Sequence, residues 1–498
     1  MEILFENTRD SAHKVTASQA IVKGLAPGGG LYVPTAIPAL DVPVAKLAQM
    51  SYREVAYEVM KLYLTDFTEA ELKTCIARAY DEKFDTPEIA PVVRKGSVHY
   101  IELFHGATIA FKDMALSILP HLMITAAKKN HIKNEIVILT ATSGDTGKAA
   151  LAGFAGVEGT KIIVFYPKDG VSAIQEKQMV TQKGDNTFVV GIKGNFDEAQ
   201  TGVKQMFTDE ALTALLDTHG LQFSSANSIN VGRLVPQIVY YVYAYAQLVK
   251  GGVVADGDPV NIDVPTGNFG NILAAYYASL MGIPVHRLIC ASNQNKVLYD
   301  FFTTGCYDRN RDFYISASPS MDILISSNLE RLIYRIAGND AKVNASLMAE
   351  LQTEGHYSIT PFMREQLKLF YGNYASEEET FFAIHEVHEE TGYVLDPHTA
   401  VAAAVYKKYV RETNDRTPTL IASTASPYKF ADNVMRALGR QANSTDEFEL
   451  TDALAGVSGV PIPPAIEEIR TAPVRHTTVC EADAMEEAVL EFLGVNKS

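Results

Sequence analysis

The chain has 498 residues, a net charge of −16, and hydrophobic and charged shares of 47% and 20%. That length holds about two to four domains, and the balance is that of a globular protein with large cores. The acidity, with no run of Lys or Arg, argues against duplex nucleic acid or an anionic membrane surface as a partner.

The start, Met1 to Asn7, carries early acids and only a short apolar run, so it does not read as a signal peptide. Residues 1 to about 40 are punctuated by Gly24-Leu25-Ala26-Pro27-Gly28-Gly29-Gly30 and read as turn or loop ending in a short extended piece, Leu31 to Pro34. Tyr52–Met60 and Glu69–Tyr80 have the spacing of amphipathic helices, and Val98–Leu103 reads as a strand. A helix is expected from Lys112 to Lys128, kinked at Pro120.

From Asn134 the pattern alternates. Strands are expected at 134–142, 160–166 and 187–191, and helices at 148–156, 173–182 and 196–207. Strand and helix in alternation mean βαβ units and a parallel sheet. Leu234 to Val249 contains Pro236, Gln237 and Gln247, so the helix expected at 231–249 is buried in protein rather than membrane-spanning. A second α/β unit follows, with strands at 260–265 and 288–291, a mainly helical stretch from 320 to 390, and a strand at 418–423. A final helix is expected at 483–493.

Cys75, Cys290, Cys306 and Cys480 form no CxxC pair, and no His-Glu-x-x-His is present, so neither a disulfide framework nor a zinc site is expected. A reducing, cytoplasmic setting is the simplest expectation.

Three stretches carry chemistry. Lys112 lies between Ile109-Ala110-Phe111 and Met114-Ala115-Leu116. Burial would lower its pKa and leave a neutral amine able to form a Schiff base with an aldehyde. The alternative is a helix-start lysine paired with Asp113. Ser143-Gly144-Asp145-Thr146-Gly147 joins a strand to a helix, as an anion-binding turn or a plain helix cap. It is not a P-loop: Thr142 and Ala149 stand where Gly and Ser/Thr are required. Gly267-Asn268-Phe269-Gly270-Asn271 is a second strand-to-helix turn, a phosphate cup or a turn with no ligand. It lacks the Gly-x-Gly-x-x-Gly spacing of a dinucleotide site. Thr424, at a strand end, offers a hydroxyl to a cofactor ring nitrogen, or is only a strand-end hydroxyl.

These motifs, with Ser423-Thr424-Ala425-Ser426-Pro427, Asp396-Pro397-His398-Thr399-Ala400 and the glycine-rich Gly24–Pro34, resemble the threonine synthase family of fold-type II pyridoxal-phosphate enzymes, in the long form of bacteria and fungi. The resemblance implies an α/β fold, tryptophan synthase β-like, with two open, twisted, mostly parallel sheets flanked by helices and an N-terminal helical extension. The expected division is a mainly helical domain at 1–95, a large cofactor domain at 96–134 and 220–445, a small α/β domain at 135–219, and a C-terminal extension at 446–498 packed on the large domain.

It further implies that Lys112 carries pyridoxal 5'-phosphate, with Phe111, Asp145, Gly267, Asn268, Phe269, Gly270, Asn271 and Thr424 around it. O-phospho-L-homoserine would be converted with water to L-threonine and phosphate, and the competing outcome is a related lyase or dehydratase releasing a keto acid. His105, Ser143, Asp145, Thr146, Asn230 and Arg233 are the implied substrate contacts, with a packed structural role as the alternative for His105. Only a small-molecule partner is expected, in a monomer or homodimer. The chain departs from many relatives at Ala107, Ser426, Lys148 and Val231. Lys148 is read as a solvated side chain or an extra anion contact.

Overall fold

The structure, a computed structural model, describes residues 2–142, 144–168, 170–440, 444 and 446–496. Its centre is a six-stranded sheet in the order Phe370–Tyr374, Val285–Ser292, Val260–Pro265, Thr419–Ser423, Val98–Glu102, Val92–Lys95. All neighbours are parallel except the last two, a hairpin closed through Gly96. The inner strands are buried on both faces, so they read as near-continuous apolar runs rather than alternating ones. The second sheet has five parallel strands: Thr478–Glu481, Thr187–Lys193, Thr160–Pro167, Glu135–Ala141, Leu221–Ser224. This is the expected fold class.

Helix Val231–Lys250 is buried along nearly its whole length, between the N-terminal helices and the larger sheet. Its apolar surface is therefore explained by packing. Among the described residues no helix is long and apolar enough to cross a membrane.

Four expectations are corrected. The helix from Lys112 is two helices, Asp113–Leu116 and Leu119–Lys129. Pro120 does not kink it: it lies in the first turn of the second, where its missing N–H costs nothing. The first 40 residues are more regular than a loop. Thr16 caps helix Ala17–Lys23 through a reciprocal box with Gln19, and Phe5–Asn7, Asp10–Val15 and Tyr32–Pro34 form an antiparallel sheet. Within 320–390, Phe370–Tyr374 is an edge strand of the main sheet, not helix.

The C-terminal extension does not rest on the large domain alone. Strand Thr478–Glu481 covers the edge left by Thr187–Lys193 in the smaller sheet, which an exposed parallel edge requires. Helix Met485–Leu493 completes that sheet's core through Val489 and Leu490. Glu447, starting helix Glu447–Ser458, accepts the N–H groups of Ala173 and Ile174 at 2.9 and 3.0 Å.

Candidate active site

Strand Val98–Glu102 delivers the chain to Lys112 by a loop sewn to the end of strand Thr419–Ser423. The Phe111 N–H donates to the Thr424 carbonyl at 2.8 Å, and the Ser426 N–H donates to the Ile109 carbonyl at 3.0 Å. Ile109 takes φ 52°, uncommon for a β-branched residue and held here by these bonds. Lys112 and Thr424, distant in sequence, thus share one framework.

Lys112 is 9% exposed, and its amine donates to Ser320 Oγ at 2.9 Å. It lies 3.6 Å from Asp145 Oδ2. Burial pushes its pKa down to about 8; Asp145 opposes this, while Lys429 and Arg233 push the same way. The alternative pairing with Asp113 is not formed. Both Asp113 oxygens are taken by Thr108, its N–H at 2.8 Å and its hydroxyl at 2.6 Å.

The turn after strand Glu135–Ala141 uses Gly144 at φ 138°, where a Cβ would strike the Gln175 side chain at 2.5 Å. Thr142 Oγ1 accepts from the N–H groups of Gly144 and Gly147 at 3.0 and 2.9 Å. Helix Asp145–Phe154 then starts with the N–H groups of Asp145 and Thr146 free among the described residues. Ser143, an expected substrate contact, lies outside them.

Asp145 accepts from Gln175 Nε2 at 3.0 Å and from Ser320 Oγ at 3.3 Å, and pairs with Lys429 at 3.0 Å. Burial pushes its carboxyl up, but Lys429 and Lys112 together hold it well below the usual range. Lys148 is not solvated: it is buried against Gln182 Oε1 at 2.6 Å, and burial lowers its pKa to about 8.

The glycine turn follows strand Val260–Pro265. A Cβ on Gly267 would lie 2.5 Å from the Ser320 carbonyl oxygen, so glycine is required by close approach. Phe269 sits at φ 65°, pinned by its ring against Phe302 and Phe370. The N–H groups of Asn268 to Ile272 have no partner among the described residues, and helix Gly270–Leu280 begins there. Free amides at the positive end of a helix dipole suit a phosphate. The Asn271 side chain faces inward, accepting from the Tyr240 and Tyr241 hydroxyls at 2.6 and 2.5 Å, which leaves its backbone for a ligand.

A buried amine of lowered pKa, an amide-lined cup and a strand-end hydroxyl at Thr424 fit pyridoxal phosphate. The Thr424 main chain is fixed on both sides, its N–H by Thr399 Oγ1 at 3.2 Å and its carbonyl by Phe111.

Arg233 is 3% exposed, and among the described residues its guanidinium donates only to the Ala226 carbonyl, at 3.1 Å, with its Nε unpartnered. No carboxylate pairs with it among the described residues. Burial lowers its pKa to about 10. A buried guanidinium without a counter-charge is poised for an anion.

Two expected substrate contacts are committed elsewhere. His105 is clamped by Asp85 at 2.6 Å and Glu102 at 2.9 Å. Burial lowers its pKa, but these carboxylates outweigh it and raise it to about 9. Both ring nitrogens are thus engaged by carboxylates of the protein itself. Asn230 is fully buried, accepts the Gly232 N–H as helix cap at 2.9 Å, and donates to the Ile21 and Ser225 carbonyls. Asn is among the best capping residues, and both amide donors of this one are taken by main-chain carbonyls, while its oxygen is already the helix cap.

Ser320, Lys429, Gln175 and His398 belong to the site and were not expected there. Lys429 follows the Thr424 motif, and His398 lies in the Asp396-to-Ala400 motif, so both stretches carried a signal. Ser320 and Gln175 had none.

A family profile described as threonine synthase N terminus matches residues 4–80, one described as pyridoxal-phosphate dependent enzyme matches 101–425, and one for the threonine synthase C-terminal region matches 399–489. Human threonine synthase-like 1 is 41% identical over 459 residues, which are 89% of this chain; the chain spans 61% of that relative's length. Threonine synthase of Saccharomyces cerevisiae is 35% identical over 475 residues, 89% of this chain and 91% of that protein. Two crystal structures superpose with TM-scores of 0.87 over 99% of each chain: a PLP-bound threonine synthase from Brucella melitensis, 32% identical, and the yeast enzyme, 33% identical.

Proposed function

This chain belongs to the threonine synthase family of pyridoxal-phosphate-dependent enzymes, and on that premise we propose that it converts O-phospho-L-homoserine and water into L-threonine and phosphate. The observation that carries the proposal is the unpaired, buried Arg233 close enough to lower the Lys112 pKa. The site therefore offers a reactive amine and a waiting cation, as an anionic amino-acid substrate requires. A cytoplasmic setting is part of the same reading.

Pyridoxal phosphate, when bound, supplies the electron sink for charge developing on the substrate carbons. Lys112 would hold it, with the amides of Asn268 to Ile272 at its phosphate and Thr424 at its ring nitrogen. A hydroxyl there leaves that nitrogen largely unprotonated, unlike a carboxylate.

The Lys112 Nζ moves protons at the substrate Cα and Cβ. A base with a pKa of about 8 is close to matched to that task near neutrality. Ser320 Oγ takes one amine hydrogen and so orients the nitrogen lone pair. Asp145, kept ionised by Lys429, offers an acceptor beside the amine. Arg233 orients a substrate phosphate or carboxylate with its planar fork. Burial of Lys112 keeps bulk water away from the amine that moves these protons.

The test is an assay of purified protein with O-phospho-L-homoserine, following phosphate and threonine together. Equal yields are expected. Phosphate with a keto acid would assign a phospho-lyase, and no turnover by cofactor-loaded protein would reject the proposal.

A further inference from the structure

The Pro319–Met321 turn lies over both halves of the site, and Ser320 makes four approaches from it. Its hydroxyl accepts from Lys112 at 2.9 Å and donates to Asp145 at 3.3 Å. Its carbonyl closes over Gly267, within 2.5 Å of where a Cβ would stand. Its N–H donates to His398 Nε2 at 3.2 Å.

That last bond depends on a tautomer. His398 Nδ1 lies 2.9 Å from Asp396 Oδ1, and an ionised carboxylate only accepts. The proton therefore sits on Nδ1, and Nε2 is left as the acceptor that the Ser320 N–H needs. The ring is buried, with Phe430 at 5.0 Å.

Asp396 is itself fixed. It caps helix Pro397–Thr413, taking the N–H groups of His398 at 2.9 Å and Thr399 at 3.3 Å. Thr399 Oγ1 in turn holds the Thr424 N–H. One helix cap thus fixes the cover over Lys112 and the hydroxyl residue beneath it.

The outer part of the same segment contributes little packing. Phe313, Tyr314 and Ile315 are 52%, 43% and 91% exposed. The cover is held from its inner side, by the buried Met321 side chain and by the polar bonds of Ser320.

We propose that His398, oriented by Asp396, is a positioning residue that latches Ser320 over Lys112. The inference rests on the reading of Lys112 as the reacting amine, and it assigns a role to a histidine that touches neither that amine nor the glycine turn.

The test compares His398→Asn with His398→Gln in the full, cofactor-loaded chain. Glutamine reaches the position of Nε2 with an acceptor; asparagine falls short of it. Hydrogen exchange at the Ser320 amide is expected about tenfold faster in the Asn variant, roughly the worth of one hydrogen bond. The Gln variant is expected to stay near wild type. The amides of strand Thr419–Ser423 report whether the fold is intact. The kcat/KM for the phosphorylated substrate should fall with the Asn variant, mainly through KM, and recover with Gln.

Asn and Gln variants that behave alike would overturn the latch, because a purely structural histidine would not distinguish them. Should the Asn variant fail to fold, wild-type exchange decides: a Ser320 amide as unprotected as those of Phe313 and Ile315 would also overturn it. Exchange is read without turnover, so failure of the proposed reaction would be seen separately.

Discussion

Lys429 and Asp145 form an ion pair at 3.0 Å with the lysine side chain wholly excluded from solvent. Lys429 also donates to the Thr108 carbonyl at 2.9 Å, so the pair ties the Lys112 loop to the helix carrying Asp145. The pair does two things: it keeps Asp145 ionised, and it places a cation where it disfavours protonation of Lys112.

Lys429→Met should therefore cost about 3–5 kcal/mol, since it strands a buried carboxylate. Denaturant unfolding of the variant measures this. The same change removes a charge that holds the Lys112 pKa down, so the acid limb of the pH–kcat/KM profile should move to higher pH. A limb that stays put or moves to lower pH would contradict the geometry.

Lys112→Met should abolish turnover and the visible absorbance of bound cofactor while leaving the fold intact. It should also change stability with pH in a definite sense. In cofactor-free protein the folded Lys112 pKa is about 8 against an ordinary 10.5, so between these values the unfolded chain binds more protons. Wild-type stability gains from this group as pH rises through that window. Below pH 8 the variant is spared a burial cost of about 3 kcal/mol, so its advantage over wild type should shrink from pH 8 to 10.5. Urea unfolding of both proteins at several pH values checks this.

Arg233→Met is expected to weaken phosphorylated-substrate binding by at least about tenfold, the scale of one charge-assisted contact. Cofactor occupancy should be unaffected. Stability should hold or rise, because no protein carboxylate loses a partner. An unchanged substrate affinity would remove Arg233 from the site.

Gly267→Ala places a methyl group against the Ser320 carbonyl. Overpacking of this kind costs about 1–3 kcal/mol, so cofactor affinity should fall about ten- to a hundredfold in fluorescence titration.

Asn230→Ala should cost about 1–2 kcal/mol by loss of the helix cap and leave KM near wild type. A large KM effect without destabilisation would return Asn230 to the substrate-contacting role that its neighbours in sequence suggest.

How far the sequence reads ahead can be seen at particular residues. Lys112 and the glycine turn stand out by local pattern, because each ends a strand or starts a helix and carries its chemistry on adjacent residues, whereas Asp145 and Thr424 enter through the family resemblance. At Asn230 capping and ligand binding use the same amide, and only the fold shows that its donors go to Ile21 and Ser225. For His105 both readings stay open in the sequence for a similar reason: Asp85, which binds its ring, lies well before it in the chain. The strand Phe370–Tyr374 was missed because an edge position needs neither a long apolar run nor strict alternation.

What the sequence determined by itself is the alternation of strand and helix, the turn chemistry at each strand end, and the amine in its apolar setting. These are local properties, fixed by periodicity and by residues within a few positions of one another. The tertiary structure alone decided which charges meet. Burial and proximity across long chain separations set the Lys112 pKa, commit Asp145 to Lys429, leave Arg233 with no carboxylate partner among the described residues, and bring Ser320, held by His398, to the amine, because electrostatic energy depends on distance in space and on exclusion of water rather than on distance along the chain.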